Sequence, residues 1–167
     1  MAESELPQPP EHLSSEEFRK HGHALIDWIA DYWDRIEDLP VESSVSPGSV
    51  RELLPPEAPQ KGEPFADLIR DLDEIVMPGI THWQHPSWFS FFPANASPPS
   101  VLAELVSAGL GVQGMLWSTS PAATEIESHV LDWLVDLMDL PSEWKTTSLG
   151  GGVLQMSASD STHTSLV

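Results

Sequence analysis

The stretch from Gly150 to Val167, GGGVLQMSASDSTHTSLV, holds the residue types best suited to chemistry. Three glycines lead into an apolar run, Val153, Leu154, Gln155 and Met156, and then into Ser157, Ala158, Ser159 and Asp160. The pattern predicts a buried strand that turns abruptly into a helix. Such a turn presents free backbone N–H groups and the positive end of a helix dipole. With the hydroxyls of Ser157 and Ser159 it makes a cradle for a phosphate. The competing reading is an ordinary helix cap, because Ser and Asp are preferred capping residues. Between Arg70 and Lys145 there is no lysine or arginine. A phosphate near Ser157 would therefore rely on amides, hydroxyls and the dipole, in the manner of a cofactor phosphate held by a loop.

A second stretch with chemical potential is THWQHPSWFSFFPANASPPS, residues 81–100. It carries Trp83, Trp88, Phe89, Phe91 and Phe92, with prolines at 86, 93, 98 and 99 that forbid long regular structure. Aromatic loops stiffened by proline line pockets for flat apolar ligands; the plain alternative is a loop that plugs a core. His82 and His85 have no nearby carboxylate to complete a metal ligand set, so packed histidines are expected and no metal site.

Positioning these stretches falls to helices. Ser14 with Glu17 fits a capping box and starts a helix that ends before Pro40, with Phe18, Leu25, Ile29, Tyr32 and Ile36 near one face. That broad apolar face must pack on something, either a partner subunit or its own chain. Residues 41–62 read as a stiff, proline-rich linker with one helical turn near Arg51 to Leu54, able to carry the first helix over a neighbour. Pro64 to Val76 is the clearest helix, stopped by Pro78-Gly79. Ser97 caps another, with Val101, Leu102, Leu105 and Ala108 as its buried stripe and Gly109, Gly111 and Gly114 breaking it up. A further helix follows Ser120-Pro121 and ends at Leu140-Pro141. Ile126, Val130, Trp133, Leu134 and Leu137 are expected on its packed side, and Glu125, Glu127, Asp132 and Asp136 in water.

Composition excludes several function classes. A net charge of −19 argues against nucleic-acid binding, which needs a basic surface. The chain has no cysteine, hence no disulfide framework or thiolate metal site. The first residues are polar and acidic rather than a signal peptide, and no apolar run is long enough to span a membrane. A cytoplasmic protein is expected. Residues 1–13 read as a disordered tail. Ser161 to Val167 reads as two helical turns without a C-cap, so an amino-terminal piece of a larger protein is expected.

Several blocks in order resemble a known family. They are MPGITHW at 77–83, HPSWFSFFPANASPPS at 85–100, GVQGMLWSTSPAATEIE at 111–127, DWL at 132–134 and GGGVLQMSASD at 150–160. From about Phe18 to Val167 the chain resembles the amino-terminal third of pyridoxal-phosphate-dependent aromatic L-amino-acid decarboxylases, the DOPA, tyrosine and tryptophan decarboxylase group.

The resemblance implies an α/β fold of the aspartate-aminotransferase type (fold type I) and a homodimer with the active site at the subunit interface. Residues 14–80 would be a helical segment wrapping the partner. Residues 81–167 would be the substrate loop and the start of the cofactor-binding large domain. Ser157, Ala158 and Ser159 match the loop that holds the phosphate of pyridoxal 5'-phosphate. Trp83, Phe91, Phe92 and Pro93 match the substrate-pocket loop. Gln113 and Met115 match pocket positions given by the other subunit. Ala94 stands where animal DOPA decarboxylases have threonine, and Gln113 and Met115 replace an aliphatic and an aromatic residue; these departures bear on which aromatic substrate is taken. None of Lys20, Lys61 and Lys145 matches the family's Schiff-base lysine, so no catalytic residue is expected in this chain. The implied activity is decarboxylation of an aromatic L-amino acid to its amine and CO2. The alternatives are an aldehyde synthase or a decarboxylase of another amino acid on the same scaffold, and a non-catalytic truncated dimerisation module.

Overall fold

The computed structural model describes residues 12–92 and 96–167 and divides into two compact units, residues 1–96 and 97–167. The tail expected at 1–13 lies, apart from its last two residues, outside the described residues, as does Pro93.

In the first unit, helix α1 spans Ser15–Asp34. The expected capping box starts it: the Glu17 amide donates to Ser14 Oγ (3.2 Å), and the Ser14 amide donates to the Glu17 carboxylate (2.9 Å). Leu25, Trp28, Ile29, Tyr32 and Trp33 are half-buried at helical spacing, and Ile36 is buried in the short 3-10 turn that follows. This face packs on its own chain, against α3 (Phe65–Asp71) and the turns that continue it. His21 lies 4.6 Å from the Phe65 ring, while Trp28 Nε1 and Arg35 both donate to Asp73, at 3.2 and 3.0 Å. Phe18 stays out of this packing, 62 % exposed.

The linker is not released from this unit. The His82 amide donates to Val41 O (3.0 Å), Ser43 Oγ donates to Pro78 O (2.7 Å), and the short helix α2 (Ser49–Leu53) brings Val50 against Gly79. Residues 44–48 and 51–64 of the connection are exposed.

The helix that begins at Phe65 also runs further than expected. After α3 come a widened π turn, Leu72–Val76, and α4 (Met77–Gly79), so Pro78 lies inside the last turn. A proline has no N–H to donate and its ring clashes with the carbonyl four residues back. The wide turn, in which the Met77 amide reaches Leu72 O, opens the ladder just ahead of it.

In the second unit, α5 spans Pro98–Leu110, capped by Ser97 Oγ on the Ser100 amide. It runs through Gly109 and ends at Gly111, whose φ of 61° is the left-handed conformation that closes helices. Helix α6 spans Pro121–Leu137, capped by Ser120 Oγ on the Ala123 amide.

The stripes expected to be buried on these helices are not. Leu102, Leu105, Ile126, Val130, Trp133, Leu134 and Leu137 are all exposed. The face of α6 that packs instead carries Ala123, Thr124, Glu127, Ser128, Leu131, Asp132 and Val135. Two carboxylates expected in water do the holding. Asp132 accepts from the Thr146 amide (2.9 Å) and hydroxyl (2.6 Å), and Glu127 accepts from the Leu154 amide (2.6 Å). Hydrophobic periodicity finds the face with the larger apolar area. Here the short connector after α6 needs donors and acceptors for its backbone, and it takes the polar face.

The strand expected at 150–156 is absent: no strand forms among the described residues. The segment is extended but exposed, Val153 at 63 % and Met156 at 96 %. A strand exists by pairing with another strand, and none is available to this one among the described residues. The described chain is therefore helical throughout, where the start of an α/β domain was expected. Gly150 lies so close to the Glu143 carbonyl and the Trp144 backbone that a Cβ there would collide with main chain, which explains the glycine. No helix among the described residues is long and apolar enough to cross a membrane.

Candidate functional site

Ser157, Ala158 and Ser159 stand at the start of α7 (Ala158–Leu166). Ser157 is the N-cap. Its Oγ accepts from the Asp160 amide (3.1 Å) and donates to the Asp160 carboxylate (2.7 Å), and its carbonyl accepts from the Ser161 amide (3.0 Å). The capping reading thus holds for Ser157. It does not extend to its neighbours. The Ala158 and Ser159 amides and the Ser159 hydroxyl make no hydrogen bond among the described residues. Orphan amides at a helix start, with an adjacent hydroxyl, are the donor set an anion takes. These residues fit a cofactor phosphate, through Ala158 and Ser159 more than through Ser157, whose proton is already directed at Asp160.

In the first unit, three of the aromatic residues come together. The Trp83 ring stacks on Phe91 at 5.9 Å and tilts against Trp88 at 5.4 Å, and Trp88 lies 6.3 Å from Phe91. Consecutive turns build the loop that holds them: His85 N donates to His82 O and Trp88 N to His85 O, both at 2.9 Å. Phe91 carries a positive φ of 58°, uncommon for a bulky residue, and projects 82 % exposed. Phe92 is 95 % exposed and outside the cluster. The buried indole N–H of Trp88 has no hydrogen-bond partner among the described residues.

Behind the cluster, His82 is 2 % exposed and its Nδ1 lies 3.0 Å from the Tyr32 hydroxyl on α1. Burial, and then the neighbouring His85, push its pKa below the usual histidine value; burial raises that of Tyr32. His82 is thus packed, and its surroundings favour the neutral ring. Aromatic crowding drew attention to the loop as a pocket wall; the pairing of Tyr32 with His82, 50 residues apart, carries no local sequence signal.

In the second unit, Gln113 and Met115 lie in the turn between α5 and α6. The Gln113 carbonyl accepts from the Thr119 hydroxyl (2.8 Å), which pins the turn, and both side chains are free, Met115 at 78 % exposure.

Comparison with known proteins gives the chain a family. Residues 47–167 match the pyridoxal-dependent decarboxylase conserved domain. The crystal structure of Oryza sativa TDC with PLP and tryptamine superimposes with a TM-score of 0.88 at 33 % identity, covering 93 % of this chain and 32 % of that one. Phenylacetaldehyde synthase of Arabidopsis thaliana is 47 % identical over 148 residues, 89 % of this chain and 30 % of that protein. Aromatic-L-amino-acid decarboxylase of Rattus norvegicus is 43 % identical over 157 residues, 93 % of this chain and 33 % of that protein. The chain thus shares the fold of the matching third of the Oryza sativa structure. The chain belongs to the pyridoxal-dependent decarboxylase family and spans about 30 % of the length of the curated relatives it matches.

Proposed function

We propose that this chain forms the amino-terminal third of a pyridoxal-phosphate-dependent enzyme that decarboxylates an aromatic L-amino acid to the corresponding amine and CO2. The observation that carries the reading is the family match over residues 47–167, which includes both the aromatic loop and the start of α7. On this reading the complete subunit has the α/β architecture of fold type I, in which residues 150–156 find strands to pair with. Residues 14–80 form a segment that lies on a partner subunit, and residues 81–167 begin the cofactor-binding domain. The enzyme is a cytoplasmic homodimer with its active site at the subunit interface.

Each residue group then has a task. The Ala158 and Ser159 amides and the Ser159 hydroxyl hold the cofactor phosphate, and Ser157 keeps the helix start rigid. Pyridoxal phosphate, when bound, supplies an electron sink for the electron pair left by departing CO2. Trp83, Phe91, Phe92 and Pro93 bound the substrate ring and exclude water from it. Gln113 and Met115 reach the pocket of the other subunit and tune which ring fits. The proximity of Trp83 to Phe91 supports the ring site, because stacked aromatic walls hold a flat apolar side chain.

A second reading keeps the substrate and changes the product. The 47 % identity to phenylacetaldehyde synthase favours considering an aromatic aldehyde as the outcome. The test is a product assay. The 167-residue segment is joined to the remaining part of a matched decarboxylase and, separately, of a matched aldehyde synthase, supplied with pyridoxal phosphate and L-tyrosine or L-tryptophan, and scored for amine against aldehyde in each.

A further inference from the structure

Among the described residues His82 is the one fully buried side chain, at 2 % exposure, and it is a polar one. A buried imidazole needs a partner for its ring nitrogens, and a buried residue carrying a hydrogen bond across 50 residues fixes two parts of the chain to each other. His82 is fixed at three points. Its Nδ1 meets the Tyr32 hydroxyl at 3.0 Å, its amide donates to Val41 O at 3.0 Å, and its ring leans on the Tyr32 ring at a centroid distance of 5.6 Å. The consequences run forward along the chain. His82 is the residue before Trp83, and its carbonyl accepts from His85, whose carbonyl accepts from Trp88. Those two tryptophans carry Phe91 between them.

We infer that Tyr32 and His82 are a pair of positioning residues that set the aromatic loop, so that α1 determines where Trp83, Trp88 and Phe91 stand. Tyr32 acts through His82, and His82 through the two turns that end at Trp88. The inference rests on the reading of this loop as the wall of the substrate ring site; with it, the pair becomes a determinant of ring specificity that never touches the substrate. The alternative is that His82 simply fills space. The two differ in what they ask of the side chain. Space-filling asks for volume, whereas positioning asks for a polar atom where Nδ1 stands. Asparagine offers one there; leucine, of similar bulk, offers none.

The experiment compares Tyr32→Phe, His82→Asn and His82→Leu in the joined enzyme, with NMR of the tryptophan indole N–H groups and hydrogen exchange of the loop amides. Hydrogen exchange of the α1 amides reports whether α1 stays helical. The expected result is that Tyr32→Phe and His82→Leu move the Trp83 and Trp88 indole signals. Both should also speed exchange at the His85 and Trp88 amides about tenfold, the scale of losing one buried hydrogen bond. His82→Asn should leave both readouts near those of the parent. Unmoved indole signals in Tyr32→Phe with α1 intact would overturn the inference, as would equal behaviour of His82→Asn and His82→Leu. If Tyr32→Phe lost the helix, the asparagine–leucine contrast alone would decide. These readouts need no substrate, so they can fail while the ring-site reading stands. In the joined enzyme, Tyr32→Phe should raise KM for L-tryptophan about tenfold with kcat within twofold, since only placement of the ring is disturbed. An unchanged KM beside shifted indole signals would count against the ring-site reading and not against the pair.

Discussion

Replacing Ser157 and Ser159 by alanine, one at a time, separates two roles at the start of α7. Ser157 Oγ is the N-cap, taking the Asp160 amide at 3.1 Å and giving its proton to the Asp160 carboxylate at 2.7 Å. Losing such a cap costs about 1 kcal/mol of stability. Ser159, two residues on, makes no side-chain hydrogen bond among the described residues, so its truncation should change stability by less than about 0.5 kcal/mol. Cofactor affinity should sort the other way. A hydroxyl donated to a phosphate contributes about 1.5–3 kcal/mol, so Ser159→Ala should weaken pyridoxal phosphate binding about tenfold or more. Ser157→Ala should weaken it less, through a looser helix start. The assay is thermal melting of the cofactor-free joined enzyme, together with equilibrium dialysis of pyridoxal phosphate. If Ser159→Ala melted as early as Ser157→Ala and bound cofactor like the parent, Ser159 would be a structural residue and the phosphate role would be lost.

Other expectations follow from the same geometry. Phe91→Ala removes the ring stacked on Trp83 and should weaken aromatic amino acids by about 1–3 kcal/mol in kcat/KM; an equal fall for small aliphatic amino acids would make the loop structural rather than selective. Phe18, exposed on α1, is available to a second subunit, whereas Leu25 is half-buried on its own chain. Phe18→Glu should therefore shift sedimentation of the joined enzyme toward monomers without changing its helix content, and an unaltered dimer would refute that use of α1. Hydrogen bonds from Thr146 hold Asp132 below the usual carboxylate value of 3.8. The unfolded chain takes up this proton first, so the tie contributes stability above pH 3.8 that is lost as pH falls through the lower folded value. Asp132→Asn should flatten that acid limb of a pH–melting profile; an identical limb would show that the tie contributes nothing. Burial sets the same sign at His82, since the unfolded imidazole protonates near its ordinary 6.5 and the buried one only at lower pH.

Local signals were legible in the sequence, and signals that depend on a partner were not. The Ser14–Glu17 box, the serine cap at 97 and the helix start after Ser120 stand where residue chemistry puts them, because each is decided within one helical turn. The π turn ahead of Pro78 was hidden because it answers a backbone clash rather than a side-chain pattern. Periodicity on α6 picked the apolar face, yet its contacts run through Glu127 and Asp132, which bind backbone donors that no hydropathy pattern records. The 150–156 segment reads as a strand from its composition, but strand pairing is a non-local property. At the candidate site, residue type was enough to pick out the aromatic cluster, whereas the helix expected from Ser161 starts three residues earlier, at Ala158. The assignment of the cap to Ser157, which leaves Ser159 free, needed coordinates.

The central claim is most directly tested by the products of the joined enzyme. With pyridoxal phosphate and L-tyrosine or L-tryptophan, the account predicts CO2 and the corresponding amine in equal amounts, and neither without the cofactor. No turnover of either amino acid, or turnover that does not depend on pyridoxal phosphate, would contradict it.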